Sequence, residues 1–570
     1  MSEAVLAHEE GVAQMVRSGR RGGWGVALGT GGLLLLGLLF IVLPVGSLLL
    51  RSLVNAEGEW VGLAHYAAYW QTPALSDSIG RSIRLSALAS LICVLLAYGY
   101  AYALTQSCMR HKGLFRAAAL VPLLAPSLLM GISLIYLFGN QGLLKGWMAP
   151  FGGIYGEPGI VIGSVLWTFP HALLLLMTSL ATQDGRLQEA ARTLGASPVR
   201  VFWTVTLPAS RYGLMMAFVV VFVLVITDFG VPKVIGGAAN VLATDLYKQV
   251  VGQQNFSMGA VVGVWLLLPA VGAFALERHF RRRQAAALGA RASLLQPQPH
   301  AWRDRLLWLY CAVVALCLLA VIGVAVFASM ATFWPYNLSP SLRHYDFDNM
   351  DGGGWASYFN SIRMALGVAV VGTVCAFFSA WLVDKPRHHG PMRDALNLLL
   401  NLPLAIPGLV LGIGYIFFFN APGNPLGGLY ATMAILIICT VVHFYSVAHL
   451  TLLAAMRQTD AEFEVVSESL GVPMIKTLLR VHLPVCLPTL VQVAGFFFVN
   501  AMTTVSAVVF LYAPHTALAS VAVLNMDDAG TVASAAAMAV LIFLTSAVVR
   551  GLMALFSHGL LVRTQRWRQR

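Results

Sequence analysis

Along this 570-residue chain the apolar positions fall in long unbroken blocks, not in the alternation of a strand or the one-sided stripe of a soluble helix. A helix needs roughly 20 consecutive apolar residues to cross the hydrocarbon of a bilayer. About twelve blocks reach that length, near 25–50, 82–107, 114–138, 159–182, 212–232, 257–277, 306–331, 362–384, 394–419, 428–456, 489–512 and 531–557. The pattern predicts an all-α membrane protein with about twelve spans, and an even number places both termini on one side.

The pattern also repeats, which is the feature to seek first in a long chain. Ser82-Ile83-Arg84 returns as Ser361-Ile362-Arg363, Pro122 and Pro126 as Pro403 and Pro407, and Gly131 as Gly412. Leu194-Gly195 returns as Leu470-Gly471, Leu207-Pro208 as Leu483-Pro484, and Leu242-Ala243 as Leu518-Ala519. Each repeat holds six spans, so the halves share one orientation about a pseudo-two-fold axis along the membrane normal. A translocation path on that axis follows naturally. The expected divisions are a tail 1–24, a first half 25–280, a basic linker 281–305, a second half 306–557 and a tail 558–570. The paired prolines are expected to break or kink the third span of each half, and backbone broken at membrane depth must be satisfied by protein or a cavity.

Composition narrows the class. Hydrophobic residues make up 58% and charged residues 11%, against about 25% charged in a soluble domain, so the solvent for most of the chain is lipid. The first block follows Arg17, Arg20 and Arg21 but is longer than a signal-peptide core and lacks a cleavage pattern, so it is a retained helix. The net charge of +12 has a topological meaning, because Lys and Arg gather in cytoplasmic segments. With the N-terminus inside, 27 of the 36 basic residues fall on inner segments and 8 on outer ones, which predicts two cytoplasmic termini. The run Arg281-Arg282-Arg283, before Gln296-Pro297-Gln298-Pro299, fits a juxtamembrane anchor near anionic lipid better than a nucleic-acid site. The seven cysteines show neither a disulfide framework nor metal-ligand spacing. No clustered His, Cys or carboxylates suggest a catalytic centre.

The most informative loop joins the fourth and fifth spans: Glu189-Ala190-Ala191-Arg-Thr-Leu-Gly195-Ala-Ser-Pro198, continuing to Leu207-Pro208. Helix formers lead to Gly195, which suits the left-handed residue that ends a helix. Ser197 can cap the next helix and Pro198 suits its first turn. The product is a helical hairpin against the membrane whose small residues let another surface approach.

This segment resembles the signature loop of binding-protein-dependent ABC importer permeases, and the resemblance covers nearly the whole chain after the first span. It implies two tandem six-helix permease repeats in a bacterial inner membrane. The short helix would be a coupling helix docking on a cytoplasmic ABC ATPase, two copies for two loops, with an extracytoplasmic solute-binding protein on the other face. ATP and Mg would be bound by the ATPase. This chain carries no Gly-x-x-x-x-Gly-Lys-Ser/Thr loop to cradle phosphates and would bind no cofactor itself. The loop recurs with Glu464, Val465, Gly471 and Pro484, but Val465 stands where Glu189 does and Glu464 is one residue earlier. Fused halves of this kind resemble permeases for ferric iron and for 2-aminoethylphosphonate. The stretches 227–237, 240–249 and 252–256 look most like the second group.

Other residues carry two readings each. Asp228 is the only acidic residue well inside a predicted span, an ionisable position that is a functional candidate by default. It lies sixteen residues past Tyr212, or ~24 Å along a helix, near the outer mouth. It is either a polar gate or a helix end. Thr504, its counterpart, with Thr503 and Ser506, could line a cavity or hydrogen-bond back to its own helix. His171, His443 and His449 are expected to bond between helices. An ion-coupled carrier is the competing class, but it asks for ionisable sites at midplane, and Asp228 is off-centre.

Overall fold

The computed structural model describes residues 25–55, 57–287, 297–385, 390–460 and 462–564. The predicted tail 1–24, residues 565–570 of the C-terminal tail, and Gln296 lie outside these. Among the described residues nine helices are long and apolar enough to cross a membrane, and three bent helix pairs bring the number to twelve. The unbent ones are Gly25–Arg51, Pro73–Gln106, Glu157–Ala181, Phe256–Arg281, Ala301–Met330, Gly354–Asp384, Met433–Arg457, Met474–Thr503 and Val532–Ser557.

The third span of each half is broken where the proline pairs stand. Lys112–Leu124 meets Ser127–Phe138 at 103°, and Gly390–Ala405 meets Gly408–Phe419 at 110°. Proline supplies no N–H and its ring clashes with the preceding turn. Each first leg therefore tightens into a 3-10 turn (Val121–Leu124, Leu402–Ala405), and extended backbone at Pro126 or Pro407 starts the second leg.

The halves are interlocked. The first span packs on Gly408–Phe419 of the second half, and the seventh span on Ser127–Phe138 of the first. Tyr415 donates to the Phe40 carbonyl at 2.8 Å, and Phe40 stacks on Phe419 at 5.8 Å. Tyr310 of the seventh span donates to Leu96 of the second at 2.7 Å. The repeat is visible in single bonds: Ser82 Oγ accepts the Leu242 N–H at 2.8 Å, and Ser361 Oγ the Ala519 N–H at 2.7 Å. The first span is the peripheral one, 22% buried against 61% for Glu157–Ala181.

Several boundaries differ from expectation. The fifth span stops at Thr227 and the eleventh at Thr503, short of 232 and 512, because the chain turns there. Helices also enter the expected linker from both sides, with Phe256–Ala287 before it and Ala301–Met330 after it. The fifth span bends by 61° at Ser210, between Pro198–Ala209 and Arg211–Thr227, whereas its counterpart Met474–Thr503 runs through. Ser210 explains the difference, since its hydroxyl bonds back to Leu207 O at 2.9 Å and meets Tyr98 at 3.0 Å. Cys486 stands at the matching position.

Candidate functional site: the duplicated loop and the opposite mouth

The first loop folds as its sequence dictates. Asp184 accepts the Arg186 N–H at 3.1 Å and opens the helix Gly185–Thr193, which carries Glu189, Ala190 and Ala191. Gly195 ends it at φ +79°, with Gly195 N–H on Arg192 O at 2.9 Å and Ala196 N–H on Ala191 O at 3.0 Å. This is the paired closure of a left-handed helix end. Ser197 Oγ accepts the Arg200 N–H at 3.3 Å, and Pro198 fills the first turn. Pro208 follows in Leu207–Ala209.

The second loop repeats the closure. Helix Glu462–Ser469 ends at Gly471, φ +65°, with Gly471 N–H on Glu468 O at 3.1 Å and Val472 N–H on Ser467 O at 2.9 Å. A side chain at either glycine would meet nothing within 4 Å, so the left-handed backbone is what requires them. Pro473 replaces the Ser197 cap, and Pro484 lies in the first turn of Leu483–Thr503.

Both hairpins present large apolar side chains outward. Leu194 is 87% exposed and Leu470 73%, flanked by exposed Leu187 and Val199 in one loop and by Phe463, Val466 and Ile475 in the other. Isolated exposed leucines are ordinary, but clusters at the tips of two equivalent helices mark surfaces that something covers. Glu189 is exposed, as is Val465 at the matching position. Glu464 turns the other way, its carboxylate 3.1 Å from Lys385 Nζ and 3.3 Å from His482 Nε2.

At the opposite end Asp228 is 8% exposed, and its carboxylate accepts the N–H groups of Gly230 at 3.3 Å and Val231 at 3.0 Å. It caps the helix Gly230–Ile235, which is the helix-end geometry of the two readings. Thr503 donates back to Val499 O at 3.0 Å, and the Thr504 carbonyl accepts Ser520 Oγ at 2.6 Å. Ser506 packs against Gly408, where a side chain on the glycine would come within 2.5 Å of its hydroxyl oxygen. In the first half the pair is exchanged: Ser127 faces Gly230. One hydroxymethyl group thus fills each equivalent crossing, supplied from opposite sides of the crossing in the two halves.

A cavity of about 660 Å³ lies between the halves, lined by Tyr136, Asn140, Tyr155, Trp334, Arg343 and Thr531 among others. None of Asp228, Thr503, Thr504 or Ser506 lines it. Lys233 meets Asp528 of the other half at 2.8 Å and lies over the Tyr247 ring at 5.3 Å, and Tyr247 stacks on Phe510 of the other half at 6.2 Å. The sequence showed Lys233 only as one outer basic residue, since pairing across the axis leaves no local pattern. Beside them burial, then the Asp528 carboxylate, push the Asp527 carboxyl up to about 6.

Of the span histidines, His449 bonds between helices as expected, to Ser379 Oγ at 2.8 Å and Asn397 Oδ1 at 3.4 Å. Nδ1 of His171 and of His443 is buried without a hydrogen-bond partner among the described residues, which departs from that expectation. Their rings lie instead against aromatic neighbours, Trp167 at 5.7 Å and Phe444 at 4.5 Å. Among the described residues no group of three or more His, Cys, Asp or Glu is placed to hold a metal ion.

A profile of the family described as "Binding-protein-dependent transport system inner membrane component" matches residues 110–286 and 372–562, once in each half. A ferric transport system permease protein of Actinobacillus pleuropneumoniae is 25% identical over 472 residues, 79% of this chain and 67% of its own length. An Fe(3+)-transport system permease protein of Haemophilus influenzae is 22% identical over 490 residues, 86% of this chain and 91% of its own. A molybdenum transport system permease protein of Mycobacterium tuberculosis is 26% identical over 239 residues, 42% of this chain and 87% of its own. The last is the length of one repeat.

Proposed function

Because the chain belongs to the family of binding-protein-dependent transport system inner membrane components, we propose that it forms the membrane path of an ATP-driven importer whose solute is ferric iron. The observation that carries the importer reading is the duplicated loop, a capped helical hairpin with an outward apolar tip, present twice at one end of the bundle. That end is the basic one and lies in the cytoplasm, with both termini. Two copies of a separate ATPase cover the two tips. When ATP draws these copies together, the hairpins move with them and the interlocked halves exchange an inward-open for an outward-open path. A solute-binding protein delivers its cargo to the mouth around Lys233 and Asp528.

Ferric iron is favoured because relatives named for it match across both halves. A second reading, 2-aminoethylphosphonate, rests on the stretches 227–237, 240–249 and 252–256, which form the turns and short helices of that mouth. Calorimetric titration of the cognate binding protein with ferric ion, 2-aminoethylphosphonate and phosphate separates them. Tight binding of ferric ion alone is expected. Tight phosphonate binding without iron binding would transfer the assignment to the second reading.

A further inference from the structure

The repeat alignment brings two polar clusters into register, the first buried and the second largely so. In the first half Gln106, Gln188 and Thr206 meet beneath the loop: Gln188 Nε2 donates to Gln106 Oε1 at 3.3 Å and to Thr206 Oγ1 at 3.2 Å. The three are at most 5% exposed. Gln106 Nε2 also donates to Leu180 O at 3.1 Å, tying the cluster to the fourth span. The offset of 279 that relates Ser82 to Ser361 carries Gln106 to Lys385, on the same helix or its last turn. The offset of 276 that relates Gly195 to Gly471 carries Gln188 to Glu464 and Thr206 to His482. These are the residues that meet in the second half, with Glu464 3.1 Å from Lys385 and 3.3 Å from His482.

We propose that each coupling loop is held to the bundle by an equivalent three-residue anchor, amide-based in the first half and built on the Lys385–Glu464 ion pair in the second with His482 against the same carboxylate, so that Lys385, Glu464 and His482 position the second loop. In each half one member lies on the loop helix, one closes the second helix of that half, and one lies in the π-helical turn leading into the next span. The anchor joins the parts that must move together if a pull on the hairpin is to reach the spans. The second anchor is wired further: Lys385 lies 3.3 Å from Asp384, which lies 3.4 Å from Arg457 at the end of the tenth span. Their counterparts Thr105 and Ala181 carry no charge. Glu464 thus has a positioning role, and the docking face of the second loop is Val465, Val466 and Leu470.

A buried ion pair tolerates replacement of the whole set by a matched uncharged one far better than loss of one member, which strands the other charge. The two halves supply both versions, so the swap can be made within the protein. Lys385→Gln leaves Glu464 and Asp384 without their shared cation. The triple change Lys385→Gln, Glu464→Gln, His482→Thr installs the first half's anchor in the second half, and Asp384 keeps Arg457.

The test is limited tryptic cleavage of the full-length detergent-solubilised chain, together with ATP-driven uptake by the reconstituted importer. Lys385→Gln is expected to speed cleavage at Lys476 and Arg480 at least about tenfold, with cleavage at Arg186 and Arg200 of the first loop unchanged. The triple variant is expected to return to within about twofold of the starting protein in cleavage and uptake. If Lys385→Gln does not yield folded protein, Glu464→Gln is the milder single change. A triple variant cleaved as fast as the single one, or loosening of both loops together, overturns the anchor. This inference rests on the coupling reading, but cleavage needs no ATPase. Failure of the starting protein to couple to ATP would therefore count against the proposed function and leave the cleavage result to decide the anchor.

Discussion

Single residues divide the work between shape and contact. Gly195 and Gly471 supply shape alone, because the left-handed turn costs other residues roughly 1–2 kcal/mol and neither glycine is crowded. Ser127 with Gly230, and Gly408 with Ser506, supply fit. The account predicts that Gly230→Ser alone overpacks the crossing with Ser127 and costs about 1–3 kcal/mol. Adding Ser127→Gly should recover most of that loss by reproducing the second half. Thermal unfolding in detergent reads both variants, and a double variant no better than the single one would refute the exchange. Glu189, exposed on the first loop, is available for contact. Glu189→Ala should lower ATP-driven uptake more than Val465→Ala, since the first loop carries a carboxylate where the second carries Val465. Equal losses in uptake measured side by side would show that the exposed carboxylate is not used.

At the scale of elements the prolines and the interlock matter most. Pro122, Pro126, Pro403 and Pro407 made the broken third spans legible in the sequence, and the two bends of 103° and 110° are what they impose. Caps were legible for the same reason: Gly195, Ser197 and Pro198 each leave few local alternatives. The ends of the fifth and eleventh spans were legible only as one of two readings at Asp228 and not at Thr504, because both sit in apolar surroundings and the Asp228 turn is held by the amides of Gly230 and Val231 further along. Nor were the anchors or the Lys233–Asp528 pair, since their members are far apart in sequence and only the packed repeat brings them together. The interlock has a consequence for assembly. Each half's first span packs on the other half, so chains 1–290 and 291–570 made separately in one cell should co-purify and restore uptake. Two fragments that accumulate singly, with no association by affinity pull-down, would contradict it.

In the whole molecule the two halves are interlocked through their first spans. Their basic ends carry the hairpins, and their opposite ends meet through Lys233, Asp528, Tyr247 and Phe510. The duplication explains why half-length relatives match one repeat. The unequal loops suggest unequal copies of one device, each held by its own anchor chemistry. The proposed function depends on energy entering through the hairpins from a separate ATPase. The direct measurement is uptake of binding-protein-delivered ferric ion into proteoliposomes holding the full chain, with and without the ATPase and ATP, in the absence of an ion gradient. Uptake is expected only when chain, ATPase and ATP are all present. Uptake at the same rate from the chain alone, once a proton or sodium gradient is imposed in a parallel arm, would contradict it.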